Sequence, residues 1–297
     1  MSGKPRMLIT GASGMLGGTL VKYFAGDYEV YATSGQSDLP FSTRHLQFDL
    51  NSENYEPLIS WSQPDVIIHS AALTNGNYCD QNPELALQTN SLSLHKLSSS
   101  VDSNTRIIYI STDAVFPGEA HNSTEKDYTA SDSVYGKSKE LGEFFLELRS
   151  QNFTIIRTTI VGVNKLSGRQ GFAEWIVNSA KGDEQIGLFE DVLFTPISCS
   201  SLAQKLSIIL EQNLFVNERV HIGASEVYSK YDFGIALLEE LGLSTKHVDR
   251  GQITSFADRA KRAPDQSLDS SYFEKTTGIK LPGLKETVKQ LKEDFHE

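Results

Sequence analysis

The stretch Arg6-Met7-Leu8-Ile9-Thr10-Gly11-Ala12-Ser13-Gly14-Met15-Leu16-Gly17 decides the fold, because an apolar run ends there at a glycine pattern that opens a helical stretch. The three glycines have the spacing G-x-x-G-x-x-G. Such glycines allow a tight turn and let the backbone approach a pyrophosphate, while the helix N-terminus supplies N–H donors. This context predicts a dinucleotide-binding turn. A plain strand-to-helix turn that needs a positive φ is the alternative.

Strand-like and helix-like stretches alternate outward from this turn. The apolar runs are continuous, as in strands buried on both faces, so helices are expected on both sides of a parallel sheet. We predict an α/β fold, with a Rossmann-type doubly wound parallel sheet and a smaller, discontinuous C-terminal substrate-binding domain. Residues 1–162 and about 191–223 form the first domain in this prediction, and about 163–190 and 224–297 form the second. The predicted strands are 6–10, 29–33, 46–50, 65–72, 106–111, 153–161 and 220–223, and the predicted helices are 16–24, 55–61, 83–101, 135–149, 172–180 and 284–295. A further apolar helix through Leu241 is predicted after Ser229-Lys230-Tyr231-Asp232, which has the spacing of a capping box.

The end of the second strand indicates which nicotinamide dinucleotide would bind. A site for NAD usually carries an acid there, but this sequence reads Tyr31-Ala32-Thr33-Ser34-Gly35-Gln36. Because the hydroxyls of Thr33 and Ser34 can hydrogen-bond a 2′-phosphate, NADP(H) is favoured over NAD(H). Asp49 and Leu50, after the third strand, are placed to meet the adenine, and a solvated Asp49 is the alternative.

Tyr135 and Lys139 are four residues apart at the start of a predicted helix, so their side chains share one face. The spacing alone is weak evidence, because a chain with 11 tyrosines can contain such a pair by chance. The prediction therefore depends on where the pair lies in the chain. They follow Ser111-Thr112-Asp113 at the carboxyl end of a central strand, where ligands of doubly wound sheets bind. A lysine about 5 Å from a phenol favours the phenolate by about 3 kcal/mol, or roughly two pKa units. The pattern predicts a tyrosine proton donor with a lowered pKa.

Further segments show a resemblance to a known family. Together with the glycine turn and Tyr135-Gly136-Lys137-Ser138-Lys139, they make the chain resemble the extended short-chain dehydrogenases, and within them the dTDP-4-dehydrorhamnose reductase branch. The likeness runs nearly end to end. The segments are 111–118 (STDAVFPG), 157–162 (RTTIVG), 195–197 (TPI) and 262–269 (RAPDQSLD).

The resemblance implies an NAD(P)-dependent oxidoreductase of carbohydrate biosynthesis, which passes a hydride to the 4-keto carbon of a nucleotide-activated deoxysugar. In that family pattern Tyr135 protonates the carbonyl oxygen, Thr112 hydrogen-bonds it with Ser111 able to share the role, and Lys139 holds the nicotinamide ribose. The cofactor-binding residues expected on this basis are Gly11, Ser13, Gly14, Met15, Leu16, Gly17, Thr33, Ser34, Asp49, Leu50, Ala71, Ala72, Tyr135 and Lys139.

Departures from the family pattern leave alternatives open. Ala114 stands where the family usually has an aromatic residue, and Ser131 and Ser133 replace the usual Pro and Asn, so the sugar can differ from dTDP-rhamnose. Because Ala114 is not Glu, a dehydratase is disfavoured. A nucleotide-sugar epimerase remains an alternative. So does a non-catalytic NADP-binding regulatory subunit similar to the β subunit of methionine adenosyltransferase.

The substrate side is expected to include Thr74, Thr112 and Arg262, and Arg262 is the candidate phosphate clamp. Solvated surface charge is an equal alternative for Arg262, and it is favoured for Lys165 and Arg169. Trp175 could stack on a base, although such an aromatic more often belongs to the core. His69 is expected to be a packed polar side chain.

Composition restricts the partners further. The chain has 297 residues and a formal charge of −11, which argues against nucleic acid. Cys79 and Cys199 lie far apart, and no cluster suggests a required metal. No apolar run approaches a membrane span, and the start Met1-Ser2-Gly3-Lys4-Pro5 lacks a signal-peptide pattern. We therefore expect a cytoplasmic protein that binds a nucleotide sugar, and a homodimer is a further hypothesis.

Overall fold

The computed structural model describes residues 3–35, 38–164, 166, 168–253 and 264–296. Its main feature is a seven-stranded parallel sheet in the order β11-β6-β5-β4-β1-β2-β3, so the predicted doubly wound α/β fold is confirmed. The order reverses between β1 and β4, and ligands of open α/β sheets bind at the carboxyl ends of the strands at such a switch point. The strands of this sheet are β1 (Arg6–Thr10), β2 (Glu29–Ser34), β3 (Arg44–Gln47), β4 (Val66–His69), β5 (Arg106–Ile110), β6 (Phe153–Arg157) and β11 (Glu218–His221).

Two apolar cores lie on the two faces of the sheet. Met7 and Ile9 of β1 belong to one core and Leu8 to the other, because successive side chains of a strand point to opposite faces. This explains why the sequence of β1 is apolar throughout. The helices on the first face are α1 (Met15–Phe24) and α8 (Cys199–Glu211), and those on the second are α2 (Glu56–Ser62), α5 (Ser93–Ser99) and α6 (Val134–Arg149). The short α3 (Gly76–Gln81) and α4 (Pro83–Leu87) contact α6.

A π turn, Gln88–Leu92, joins α4 to α5, so the single predicted helix 83–101 contains one widened turn. The side chain of Asn90, in this turn, is completely buried. Its Oδ1 accepts the N–H of Leu73 at 2.7 Å, and its Nδ2 donates to Ser138 Oγ on α6 at 2.9 Å. The π turn thereby fixes the loop after β4 against α6.

A third apolar core holds the smaller part of the molecule, in which Phe233 and Leu237 of α9 pack on Ile176 of α7. Phe273 of α10 and Leu281, which the predicted division gave to the substrate domain, pack instead in a core of the large sheet. The domain division as such stays a prediction. The remaining elements are β7 (Thr159–Val161), α7 (Phe172–Lys181), β8 (Ile186–Phe189), β9 (Leu193–Phe194), β10 (Pro196–Ser198), β12 (Tyr228–Ser229), α9 (Lys230–Glu240), β13 (Val248–Gly251), β14 (Asp265–Gln266), α10 (Ser271–Thr277) and α11 (Leu284–His296).

Most predicted strands have shifted bounds in the structure, and the stretch 65–72 forms a strand only over Val66–His69. The stretch 153–161 divides at Thr158, because β6 pairs within the large sheet whereas β7 pairs only with β10. The third strand ends at Gln47 rather than at residue 50. Within the described part of the chain, no helix is long and apolar enough to cross a membrane.

The contact of α6 with the π turn gives a test of the packing. A Cβ added at Gly142 would lie 2.6 Å from the hydroxyl of Tyr109 and 2.7 Å from the carbonyl oxygen of Asn90. We expect Gly142→Ala to lower the free energy of unfolding by about 1–3 kcal/mol, although alanine favours helices. Urea unfolding measures this loss, and Gly26→Ala is the control because nothing lies within 4 Å of that site. An unchanged stability for Gly142→Ala would contradict the packing.

Candidate active site

The first cleft lies at the switch point, around the glycine turn. Gly11 has φ +74°, and a Cβ there would lie 2.7 Å from Cα of Ala71. A Cβ at Gly17 would lie 2.2 Å from the carbonyl oxygen of Gly11. Both positions therefore require glycine, since the turn, α1 and the end of β4 touch through backbone atoms. The bare backbone of this turn borders a cleft of about 660 Å³ and fits a dinucleotide phosphate.

The structure brings all of the predicted cofactor-binding residues to this one cleft. Each of them lines the wall of the first cleft, whereas their role in binding the cofactor stays a prediction. These residues are Gly11, Ser13, Gly14, Met15, Leu16, Gly17, Thr33, Ser34, Asp49, Leu50, Ala71, Ala72, Tyr135 and Lys139.

A second cleft of about 660 Å³ lies between the end of β5 and the smaller part of the molecule. Phe172 and Trp175 of α7, Leu188 of β8 and Lys230 of α9 form its far wall. The two clefts meet at a shared floor, formed by Thr74, Thr112, Asp113, Tyr135, Gln170 and Gly171. A group bound in one cleft therefore faces a group bound in the other across Thr112 and Tyr135.

Tyr135 reaches this floor because α6 starts close to the end of β5. The hydroxyl of Ser133 caps the helix by accepting the N–H of Gly136 at 3.0 Å. A Cβ on Gly136 would lie 2.0 Å from the carbonyl oxygen of Ala114, which shows how close the two elements are. The hydroxyl of Thr112 donates to Asp113 Oδ1 at 2.9 Å and also interacts with the Tyr135 phenol.

The pKa of Tyr135 is raised, not lowered as the sequence predicted. Burial of the phenol is the largest cause, and the charge of Asp113 adds to it, whereas the hydrogen bond with Thr112 acts in the opposite direction. The predicted effect of Lys139 on the tyrosine is wrong for the protein alone, because that ammonium is not among the groups that shift the pKa. Tyr135 is therefore protonated at neutral pH.

Lys139 is almost completely buried, at 2% exposure. Its Nζ donates to the carbonyl oxygen of Ile110 at 2.8 Å and lies 4.1 Å from the ring centroid of Tyr109. Burial lowers the pKa of Lys139 to about 7, against a raising effect of Glu143. With a pKa of about 7, Lys139 is only partly protonated at neutral pH. It lies directly behind the floor of the clefts.

A buried ion pair lies beneath this floor. Glu143 on α6 accepts two bonds from Arg157, at 3.0 Å from Nε to Oε1 and 2.6 Å from Nη2 to Oε2. The hydroxyl of Ser111 donates to the same carboxylate. In the protein alone the Ser111 hydroxyl is thus held by Glu143, and its sharing the role of Thr112 stays a prediction.

The other predicted residues have mixed outcomes. Thr74 borders both clefts. Arg169 is exposed, as expected, but its Nη1 also donates to the carbonyl oxygen of Ser13 at 3.3 Å, and the residue lines the first cleft. Trp175 lines the second cleft besides packing on the third core. Arg262 and Lys165 lie outside the described residues.

His69 agrees with the expected packed side chain, since it is completely buried and its Nδ1 bonds the Thr10 hydroxyl at 3.0 Å. Burial lowers its pKa to about 3. Among the described residues, no group of three or more His, Cys, Asp or Glu side chains could hold a metal ion.

Sequence reasoning missed Asn90, Gln170 and Lys230. Gln170 and Lys230 come from loops and helix starts that only the tertiary fold brings to the clefts. A partial signal existed for Lys230, because Ser229-Lys230-Tyr231-Asp232 has capping-box spacing and the structure confirms Ser229 as the cap of α9. That signal located the helix start but not its neighbours.

Comparisons with known proteins agree with this geometry. The model of the family described as "RmlD substrate binding domain" matches residues 5–297. The dTDP-4-dehydrorhamnose reductase of Aggregatibacter actinomycetemcomitans is 28% identical over 97% of this chain and 98% of its own. The probable low-salt glycan biosynthesis reductase Agl14 of Haloferax volcanii is 26% identical over 97% of each chain.

A solved structure shares the fold. The dTDP-4-dehydrorhamnose reductase of Bacillus anthracis in complex with NADP has a TM-score of 0.86 and 20% identity, covering 97% of this chain and 99% of that one.

A doubly wound sheet with a Tyr-x-x-x-Lys helix beside its switch point is the architecture of the extended short-chain dehydrogenases. The family match over nearly the whole chain is more specific. This protein belongs to the family of the RmlD substrate binding domain, in the dTDP-4-dehydrorhamnose reductase-like branch that the sequence predicted.

The lowered pKa of Lys139 predicts a pH dependence of stability. Above about pH 7 the folded protein has released the proton that the unfolded chain keeps up to about pH 10.4, so wild-type stability rises with pH in this window. Lys139→Met removes this contribution. We expect the stability of the wild type relative to the variant to increase by up to about 1.4 kcal/mol per pH unit between pH 7.5 and 9.5. Urea unfolding at several pH values measures it, with Lys137→Met as the control on the same helix. A pH-independent difference would contradict the buried ammonium.

Proposed function

We propose that this protein is an NAD(P)H-dependent reductase of the 4-keto group of a nucleotide-activated deoxysugar. The observation that carries the proposal is the shared floor of the two clefts. Tyr135 and Thr112 stand where a dinucleotide in the first cleft and a sugar in the second would meet. The family to which the chain belongs supports the same reaction class.

The reaction needs a hydride at the carbonyl carbon and a proton at the carbonyl oxygen. The nicotinamide, when bound, supplies the hydride and with it both electrons. Tyr135 donates its phenolic proton to the oxygen as the O–H bond of the product forms, and it regains a proton from solvent afterwards. Thr112, whose hydroxyl donates to Asp113 Oδ1 in the protein alone, turns this hydroxyl to the same oxygen when substrate is bound and so stabilises the charge that develops there.

The raised pKa of Tyr135 suits this direction of reaction. A proton donor must be protonated before the step, and burial ensures this at neutral pH. Lys139 lines the first cleft behind this floor. The same lysine is the proposed contact for the nicotinamide ribose.

We further propose that the first cleft prefers NADP(H) to NAD(H). Among the described residues at the end of β2, Thr33 and Ser34 line the cleft without any acid beside them. Ser34 Oγ exchanges a hydrogen bond with His45 Nε2 at 2.8 Å. Arg169, at the carbonyl of Ser13, brings a cation to the phosphate side of the same cleft.

Two expectations from the sequence stay predictions: a cytoplasmic location and a homodimer. Oxidation of NADPH with dTDP-, UDP- and GDP-linked 4-keto-6-deoxy sugars tests the reaction and names the sugar. Tight cofactor binding without turnover of any of these sugars would instead favour the regulatory-subunit alternative.

Tyr135→Phe tests the proton donor. The variant keeps the ring but has no proton to give, so we expect the turnover number to fall by roughly 10²–10⁴-fold while the Kd for NADPH changes little. Steady-state kinetics and calorimetry measure the two quantities. Tyr128→Phe is the control, because Tyr128 is 83% exposed and lines neither cleft. Near-normal turnover of Tyr135→Phe would remove this residue from the mechanism.

Ser34→Asp tests the cofactor preference. A carboxylate at this position repels a 2′-phosphate and can accept a hydrogen bond from a 2′-hydroxyl. We expect the ratio of kcat/KM for NADPH to that for NADH to fall by at least about tenfold, with a smaller fall for Ser34→Ala. If the ratio does not change in Ser34→Asp, the end of β2 does not select the cofactor.

A further inference from the structure

The second cleft has an uneven distribution of charge. Three carboxylates line it, those of Asp80, Asp113 and Asp132, and Lys230 is the one cationic side chain among its described lining residues. The chain as a whole carries a charge of −11, so an anionic ligand must find a local cation. This makes the surroundings of Lys230 informative about what the cleft accepts.

Lys230 is held firmly at the start of α9. Its backbone N–H donates to the carbonyl oxygen of Val192 at 3.0 Å, and Ser229 caps the helix through the N–H of Asp232 at 2.9 Å. Its Nζ lies 3.2 Å from the ring centroid of Phe194 and 4.9 Å from that of Phe172. The half-buried ammonium therefore stands on two aromatic rings in the wall of the cleft.

The carboxylates of the cleft have hydrogen-bond donors of their own. Asp113 accepts the hydroxyls of Thr112 and Thr159. The exposed Asp132 accepts the N–H of Gly118 at 3.4 Å, and the exposed Asp80 likewise accepts a backbone N–H at the start of α6. These hydrogen bonds from protein groups fix the positions of the three carboxylates.

Lys230 is also close enough to the reaction centre to influence it, since its charge lowers the pKa of Asp113, against the larger raising effect of burial. Asp113 directly follows Thr112, which is proposed to bind the carbonyl oxygen. A group bound beside Lys230 therefore lies in the same cleft as Thr112 and Asp113.

We propose that Lys230 binds anionic oxygens of the nucleotide sugar, either those of its diphosphate or those of a carboxylate on the sugar. The inference rests on the proposed function and adds to it the residue of the second cleft that recognises negative charge. The two aromatic rings stabilise the ammonium through cation–π contacts and replace part of its hydration shell. An anion that binds there forms a charge-assisted hydrogen bond with the ammonium.

Binding measurements test this without any need for turnover. Calorimetry compares dTDP, UDP-glucose and UDP-glucuronate, on the wild type and on Lys230→Met, Lys230→Gln and Lys230→Arg. Lys292→Met is the matched control, because Lys292 pairs with Glu240 on the outer side of the same part of the molecule and lines neither cleft. Lys230→Gln keeps polarity and much of the length, so it serves if the Met variant does not fold.

A loss of roughly tenfold to a hundredfold in the affinity for dTDP, largely restored in Lys230→Arg, assigns the contact to the diphosphate. A comparable loss only for UDP-glucuronate assigns it to a carboxylate on the sugar. Unchanged affinities for all three ligands in both neutral variants would overturn the proposal and leave Lys230 as the partner of Asp113 and the aromatic rings. Since no outcome depends on reduction, failure of the proposed reaction would show separately, in the NADPH oxidation assay.

Discussion

The buried pair of Glu143 and Arg157 is the interaction on which the arrangement of this molecule most depends. It joins α6 to the end of β6, and through the hydroxyl of Ser111 it also holds the end of β5. Both side chains are almost completely buried, at 2% and 3% exposure. Removing one partner of such a pair typically costs about 3–5 kcal/mol, because the other charge is then left without compensation. The three elements that carry the reaction centre are thus joined by one set of charged hydrogen bonds.

The same burial determines the ionisation of the groups above the pair. It raises the pKa of Tyr135 and lowers that of Lys139 to about 7, so both shifts favour the neutral form. Glu143, one helical turn beyond Lys139, opposes the second shift. Tyr135 therefore keeps its proton before the reaction, which is the state that a proton donor needs.

Much of the fold could be predicted because its signals are local. A continuous apolar run such as 6–10 identifies a strand with cores on both faces, and the glycines that follow have few other uses at the start of a helix. The helical spacing of Tyr135 and Lys139 was equally readable. These features depend on near neighbours in the chain, so the sequence was sufficient for them.

The features that could not be predicted depend on distant segments. Arg169 is exposed in the structure as the sequence predicted, but only the fold shows that its loop reaches the carbonyl of Ser13. The direction of the Tyr135 pKa shift also depends on burial by several elements, whereas the sequence showed only a lysine four residues away. Lys230 illustrates the same limit, because its capping motif reveals the start of α9 but not the cleft beside it.

The π turn at Gln88–Leu92 has a consequence for how this chain tolerates changes in length. Such a turn accommodates one residue more than a regular helix, so the extra residue is absorbed within the turn and α5 keeps the helical phase of α4. Loss of one residue here would restore a regular helix and leave Leu94 and Leu97 in the core. It would remove the widened turn from which Asn90 bonds the backbone of Leu73. A single-codon deletion in this segment therefore disturbs the loop after β4 and not the packing of α5.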